Sequence, residues 1–272
     1  MGRRIINRHP SRGSALAWGA LPFLIIVLVY TGFSAMRLAK NPNDKLLPSL
    51  PVIGETMRRM AFEPDQRSGQ YLLWADTASS LRRLGIGLAV SAALGLALGV
   101  ATGLIPYARA GLAPCIAVLS MIPPMAVLPI LFIMFGLDEL SKVVLIVIGI
   151  APFLIRDLAL RVGDLPGELF IKAQTLGAST WQIALRVVLP QVLPKLVDSV
   201  RLSLGPAWLF LISAEAIAAT DGLGYRIFLM RRYLAMDIIL PYVAWITFLA
   251  FAFDALLRLL NRRLFPWLSR GQ

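Results

Sequence analysis

The sequence predicts an all-α, polytopic membrane protein with about six transmembrane helices. Hydrophobic residues make up 58% of the 272 and charged residues only 15%, a balance outside that of ordinary soluble domains. Uncharged runs long enough to cross a hydrocarbon core of roughly 30 Å recur along the chain. The Lys and Arg residues that bring the net charge to +12 stand beside those runs. They do not form a patch interleaved with exposed aromatics, so they read as membrane anchors, with no nucleic acid as partner.

In chain order, Arg3, Arg4, Arg8 and Arg12 precede the uncharged run Ala15–Met36. That run is long enough to be a retained first span rather than a cleaved signal. The second and third spans are expected at Leu84–Ala108 and Ala110–Leu137, the latter interrupted by Pro123, Pro124 and Pro129. Val143–Ile155 is short for a fourth, but Lys142 and Arg156 at its ends can snorkel and lengthen it. The fifth, Leu202 to about Ala219, contains Glu215, and the sixth, Ile238 to about Leu260, contains Asp254. Residues 1–68 thus form a tail, a first span and an outer loop, and residues 69–272 a five-span core with a polar interval at 156–195. Segments near 55–62 and 70–83 are expected to lie along the outer interface.

Basic flanks set the orientation. The N-terminal arginines, Arg109, the charges of 156–195, and Arg258, Arg262, Arg263 and Arg270 share one side, which makes that side and both termini cytoplasmic. Arg58, Arg59, Arg82 and Arg83 fall outside, offset only in part by Glu55, Glu63, Asp65 and Asp76.

Ser91, Gly95, Gly99 and Gly103 recur every four residues and present a ridge where helix backbones can approach closely, within one subunit or between two. No internal repeat supports the inverted halves of many secondary carriers. One cysteine, Cys115, and one histidine, His9, offer neither an intrachain disulfide nor a metal cluster. Without a GxxxxGK[ST] loop the chain has no phosphate cradle of its own. No catalytic, cofactor or metal residue is therefore expected, which argues against an intramembrane enzyme.

Ionisable side chains inside a span cost roughly 2.5–3.5 kcal/mol at its centre, so each needs a reason. Glu215 precedes Asp221-Gly222-Leu223-Gly224 and reads either as a pathway-lining acid, with Asp221, or as a structural acid bonded to a neighbouring helix. Asp198 with Arg201 and Asp254 with Arg258 have helical spacing for local ion pairs. Pro123 and Pro124 remove backbone donors within a span, and a break of that kind faces protein or a cavity, with Met121 and Met125 flanking it as a constriction.

The mixed stretch AQTLGASTWQIALRVVLP, residues 173–190, interrupts the apolar pattern. Leu165–Leu176 suits a short helix, Gly177 permits a turn, and Ser179 or Thr180 caps a second helix from about Trp181. Pro190 and Pro194 are then expected to break or kink the chain before the fifth span. Here Ala173, Gly177-Ala178-Ser179, Trp181-Gln182 and Val187-Val188-Leu189-Pro190 resemble the cytoplasmic signature loop of binding-protein-dependent ABC importer permeases, most closely the taurine, aliphatic-sulfonate and nitrate group. Ser80-Leu81-Arg82-Arg83, Ile122-Pro123-Pro124, Leu128-Pro129, Phe135-Gly136, Ala207-Trp208, Ala214-Glu215, Gly222-Leu223-Gly224 and Pro266-Trp267 agree with that group as well.

The resemblance implies a type I ABC importer permease fold in a bacterial inner membrane, working as a homodimer by alternating access. It implies a cytoplasmic ATPase dimer that alone uses ATP and Mg, and a periplasmic or lipid-anchored substrate-binding protein. Ala173, Gly177, Ala178, Ser179, Trp181 and Pro190 would form the loop that couples to the ATPase. The solute would be a sulfonate, a nitrate- or cyanate-like anion, or a small nitrogen compound. An ion-coupled carrier is the alternative outside this class. One departure stands out: Ile171-Lys172-Ala173 replaces the family's usual Glu-Ala-Ala, and Glu168 is the nearest substitute acid.

Overall fold

The computed structural model describes residues 11–42, 44–66 and 68–267. Arg3, Arg4, Arg8, His9 and Arg270 lie outside the described residues. Among those described, regular structure is helical throughout. Helix α1 is Arg12–Lys40, α2 Leu50–Phe62, α3 Leu72–Leu104, α4 Pro106–Leu119, α5 Pro124–Phe135 and α6 Glu139–Gly163. After these come α7 Gly167–Thr175, α8 Thr180–Ile183, a π-helical turn Ala184–Val188, α9 Leu189–Ala218, α10 Leu223–Arg231 and α11 Met236–Leu264. Five stretches are long and apolar enough to cross a membrane: Gly13–Lys40, Leu72–Leu104, Glu139–Gly163, Thr180–Ala218 and Met236–Leu264. Helices α4 and α5, bent by 93° at their junction, form a candidate sixth as a broken span.

That sixth crossing follows from the packing of α3 on α6. A Cβ built on Gly87, Gly95, Gly99 or Gly103 would stand 2.5–2.8 Å from a side chain of Ile146, Leu154, Leu158 or Val162 respectively. Each partner lies 59 positions further on (146 − 87, 154 − 95, 158 − 99, 162 − 103), so the register is constant and the two helices run parallel. The segment joining two parallel spans must return across the membrane, and α4 with α5 is that segment. Ser91, on the same ridge, is buried and donates to the Gly87 carbonyl at 2.7 Å. The ridge is therefore covered by α6 of the same chain. On another face of α6, Gly149 receives Phe210 of α9, with ring carbon Cε2 only 2.3 Å from where a Cβ would be.

Three expectations change. Residues 72–83 do not lie along the interface but form the first turns of α3, whose 33 residues reach about 50 Å at 1.5 Å per residue. Its first turns therefore project past the apolar core, where their charges find partners on other helices. The fourth span is Glu139–Gly163, longer than Val143–Ile155, and Lys142 does not snorkel: it is 3% exposed and donates to Glu139 at 3.0 Å. Pro190 and Pro194 do not break the chain either. Pro190 sits in the first turn of α9, where a missing N–H costs little, and the π turn before it joins α8 to α9 without a loop.

Helix α2 is a separate helix, as expected near 55–62, and it buries Thr56, Met60 and Ala61. Thr56 Oγ1 donates to Asp237 of α11 at 3.3 Å, and Trp74 Nε1 of α3 donates to the Ala61 carbonyl at 3.0 Å.

Candidate functional site

Polar chemistry gathers around Arg83, at the end of α3 away from α7 and α8, where its side chain is only 2% exposed. Its Nε and Nη2 donate to the two oxygens of Glu139, at 2.6 and 2.7 Å, in a bidentate pair between α3 and α6. Nη1 reaches Glu215 Oε1 at 2.8 Å and the Asp221 carbonyl at 3.0 Å, and Nη2 also meets the Asp221 carboxylate. Glu215 itself is fully enclosed. It accepts from Ser80 Oγ (2.8 and 2.9 Å) and from the Gly224 amide (2.8 Å).

The same residues cap α10. The amides of Gly222, Leu223 and Gly224, unpaired within their own helix, donate to Asp76 Oδ1 (3.1 Å), Ser80 Oγ (2.8 Å) and Glu215 Oε2 (2.8 Å). Gly222 has φ of +113°, a region that L side chains rarely adopt, and an added Cβ would lie 2.6 Å from Glu215 Oε1. Asp76 is completed by Arg226 Nε at 2.8 Å and by Tyr242 Oη at 3.0 Å. Burial alone would raise the Asp221 carboxyl, but hydrogen bonds from Arg83 and Ser79 outweigh it and hold that group below the ordinary carboxylate value.

Glu215 and Asp221 thus meet in one network that fastens the start of α10 to α3, α6 and α9. With its acceptors filled from its own chain, Glu215 has no free face to offer a solute, and the structural reading fits its geometry. The sequence reading missed the partners Arg83, Glu139, Asp76, Arg226 and Tyr242. One signal was available: arginines at 82 and 83 on the side that should be poor in positive charge, which demands nearby acids.

At the opposite end, α7 and α8 form a short helical pair. Gly177 turns between them at φ +76°. Ser179 N-caps α8 in a capping box: its hydroxyl accepts from the Gln182 amide at 3.3 Å, and its own amide donates to Gln182 Oε1 at 2.8 Å. Ala173 and Ala178 pack inward on a cluster of Leu158, Val162, Ile183, Val188 and Val192. Ile171, Leu176 and Trp181 point away, at 62%, 87% and 70% exposure. Glu168 and Lys172 pair at 3.8 Å on the open surface, an arrangement worth little by itself.

The third feature is the α4–α5 junction. Pro123 caps α5 and Pro124 opens it, while Met121 and Met125 on either side are both exposed. The charged pairs of the inner half form as spaced: Arg201 bonds Asp198 at 2.9 Å and also Asp254 of α11 at 3.0 Å, and Arg258 bonds Asp254.

Fold and site together define a membrane-embedded transport subunit. Its fold is that of a bacterial ABC transporter involved in the import of the acidic polysaccharide alginate (TM-score 0.63, 15% identity, covering 93% of this chain and 96% of that one). The MetNI methionine ABC transporter shares it (TM-score 0.57, 21% identity, covering 71% and 98%). The chain belongs to the binding-protein-dependent transport system inner membrane component family, whose profile matches residues 91–268. Among its relatives, the taurine transport system permease protein TauC of Escherichia coli K12 is 40% identical over 196 residues, covering 72% of this chain and 71% of that protein. The nitrate import permease protein NrtB of Synechococcus elongatus is 26% identical over 210 residues, covering 76% and 75%.

Proposed function

We propose that this multi-pass inner-membrane permease imports a small solute bearing an oxyanion, a sulfonate or a nitrate-like group, by ATP-driven alternating access. Two copies form the pathway. Each engages one subunit of a cytoplasmic ATPase dimer that alone binds ATP and Mg, and a periplasmic or lipid-anchored binding protein delivers solute to the outer side. Both termini are cytoplasmic. Support for the solute class comes from the relatives named for taurine, which carries a sulfonate, and for nitrate.

The observation that carries the reading is the α7–α8 pair. Three large apolar side chains are held outward on a capped turn whose other side is anchored in the core, a surface suited to a hydrophobic groove on a partner. In this reading Ala173 and Ala178 anchor the pair, Gly177 and Ser179 set its angle, and Trp181 enters the groove. Pro190 begins the long helix that carries the motion across the membrane. Met121, Pro123, Pro124 and Met125 line the pathway.

The test is a cross-link. In a Cys115→Ser background, Leu176→Cys should join to the ATPase through a short bifunctional maleimide in the assembled, transporting complex. A complex that transports normally and yields no such product would refute the coupling assignment.

A further inference from the structure

Charged side chains in the spans of this protein are mostly paired: Arg83 with three carboxylates, Lys142 with Glu139, Arg161 with Asp157, Arg201 with Asp198 and Asp254. Arg156 differs. It lies in α6, seven residues from Gly163 and so about 10 Å inside that helix end. It is exposed, and among the described residues no carboxylate bridges to it. Its sequence neighbour Asp157 borders the same small cavity, but its carboxylate is taken up by Arg161 at 3.1 Å and by Ser199 of α9. Among the described residues, the hydrogen bond of the Arg156 guanidinium runs sideways, from Nη1 to Ser120 Oγ at 2.8 Å, rather than toward the helix end.

Arg156 belongs to a stripe of α6 with Phe153 and Leu160, 47% and 68% exposed, which this chain leaves uncovered. A guanidinium on this stripe is costly to leave in lipid, so the stripe faces water, protein or the polar edge of the membrane. Ser120 gives an independent pointer. It is the C-cap of α4 at the α4–α5 break, and irregular backbone at membrane depth is tolerated only in protein or along a water-filled cavity. Arg156 also borders two adjoining cavities, of about 440 and 330 Å³. Arg109, the other arginine of the larger one, is occupied by the Thr102 and Gly103 carbonyls at 3.1 and 2.6 Å.

We propose that Arg156 is the anion-recognising residue of the translocation pathway, offering its free guanidinium edge to the oxyanion of the passing solute beside the Ser120–Pro124 break. A planar fork of N–H donors suits two oxygens of a sulfonate or nitrate at once, and one hydroxyl partner leaves most of that fork open. The proposal rests on the oxyanion reading of the solute. Its geometric half, a watered stripe made attractive to anions by Arg156, does not.

Two measurements on the full complex with its ATPase and binding protein test it. In the first, Phe153→Cys is placed one turn from Arg156 in a Cys115→Ser background. It is treated with the anionic sulfonatoethyl methanethiosulfonate and the cationic trimethylammonioethyl methanethiosulfonate. Both should react, and Arg156→Gln should lower the anionic-to-cationic rate ratio about tenfold. Exclusion of both reagents shows that the stripe is covered by lipid or protein and not by water, and an unchanged ratio removes the role of Arg156; either overturns the proposal. In the second, uptake of ethanesulfonate into vesicles, normalised to assembled complex, should fall about tenfold in Arg156→Gln and partly recover in Arg156→Lys. Uptake by Arg156→Gln within twofold of the parent overturns it. So does a loss seen only in vesicles containing phosphatidylglycerol and absent in phosphatidylcholine, which assigns the arginine to an anionic lipid headgroup. If the parent complex imports neither ethanesulfonate nor nitrate, the solute class proposed above fails, and the thiol measurement still decides the anion-attracting stripe.

Discussion

Replacing Glu215 separates a packing acid from a transporting one. Its two oxygens accept from Ser80, Arg83 Nη1 and the Gly224 amide, all in the protein interior. Glu215→Gln retains the volume but only one acceptor oxygen, and its amide must confront a donor. Whichever oxygen is replaced, the new amide faces a fixed donor, Arg83 Nη1 on one side or the Gly224 amide on the other. At least one buried donor then goes unpaired, a loss of about 1–3 kcal/mol. Glu215→Leu strands the Gly224 amide and takes a counter-charge from Arg83. Breaking a buried ion pair costs about 3–5 kcal/mol, placed here toward the lower end because Glu139 and Asp221 still hold the guanidinium. Thermal midpoints of the detergent-solubilised complex, followed by size-exclusion fluorescence, should therefore fall in the order parent, Gln, Leu. Uptake per assembled complex in Glu215→Gln should stay near that of the parent. Glu215→Leu with the parent's midpoint would refute the packing argument. A Gln variant with full stability and no uptake would return the charge to the transport pathway.

Gly99→Leu should lower assembled protein by the equivalent of about 1–3 kcal/mol, because its Cβ would stand 2.8 Å from Leu158 Cβ and 3.1 Å from the Ile155 carbonyl. Gly85→Leu, on the same helix with nothing within 4 Å, is the control: equal yields of the two variants would contradict the α3–α6 register. At the coupling turn, Gly177→Val meets no neighbour within 4 Å but must hold a β-branched residue at φ +76°, so it should uncouple ATP hydrolysis from uptake while membrane insertion stays intact. Normal coupling in Gly177→Val, measured as solute imported per ATP hydrolysed, would count against a fixed turn at that position.

What could be read in advance was local. The spans follow from composition over windows of about twenty residues, and the α7–α8 turn from a glycine and a capping serine within three positions of one another. The small-residue ridge was legible as a ridge, but its partner was not: nothing near Gly99 in the sequence points to Leu158, and only the shared four-residue period of the two helices reveals the match afterwards. The outer network is less legible still. Arg83 meets Glu139, Glu215 and Asp221 across separations of 56, 132 and 138 residues, and each of these, taken singly, is an expensive charge near a span.

Charge balance was nonetheless a usable clue, because a buried ion needs a partner whatever the fold. Two arginines on the outer side and an acid near the end of the fifth span are separate anomalies in a topology drawn on a line, and they cancel once drawn together. The reasoning also runs in reverse. After Arg83, Lys142, Arg161 and Arg201 are matched to their acids, the exposed guanidinium of Arg156 stands out among the unbridged cations of the described spans by its place, bonded to one hydroxyl beside a broken helix. Had the purpose of that side chain been to hold α6 in place, an acid on a neighbouring helix would have served, as Asp254 of α11 does for Arg201 of α9. An open fork of donors inside a span is instead the chemistry left available for something that comes and goes.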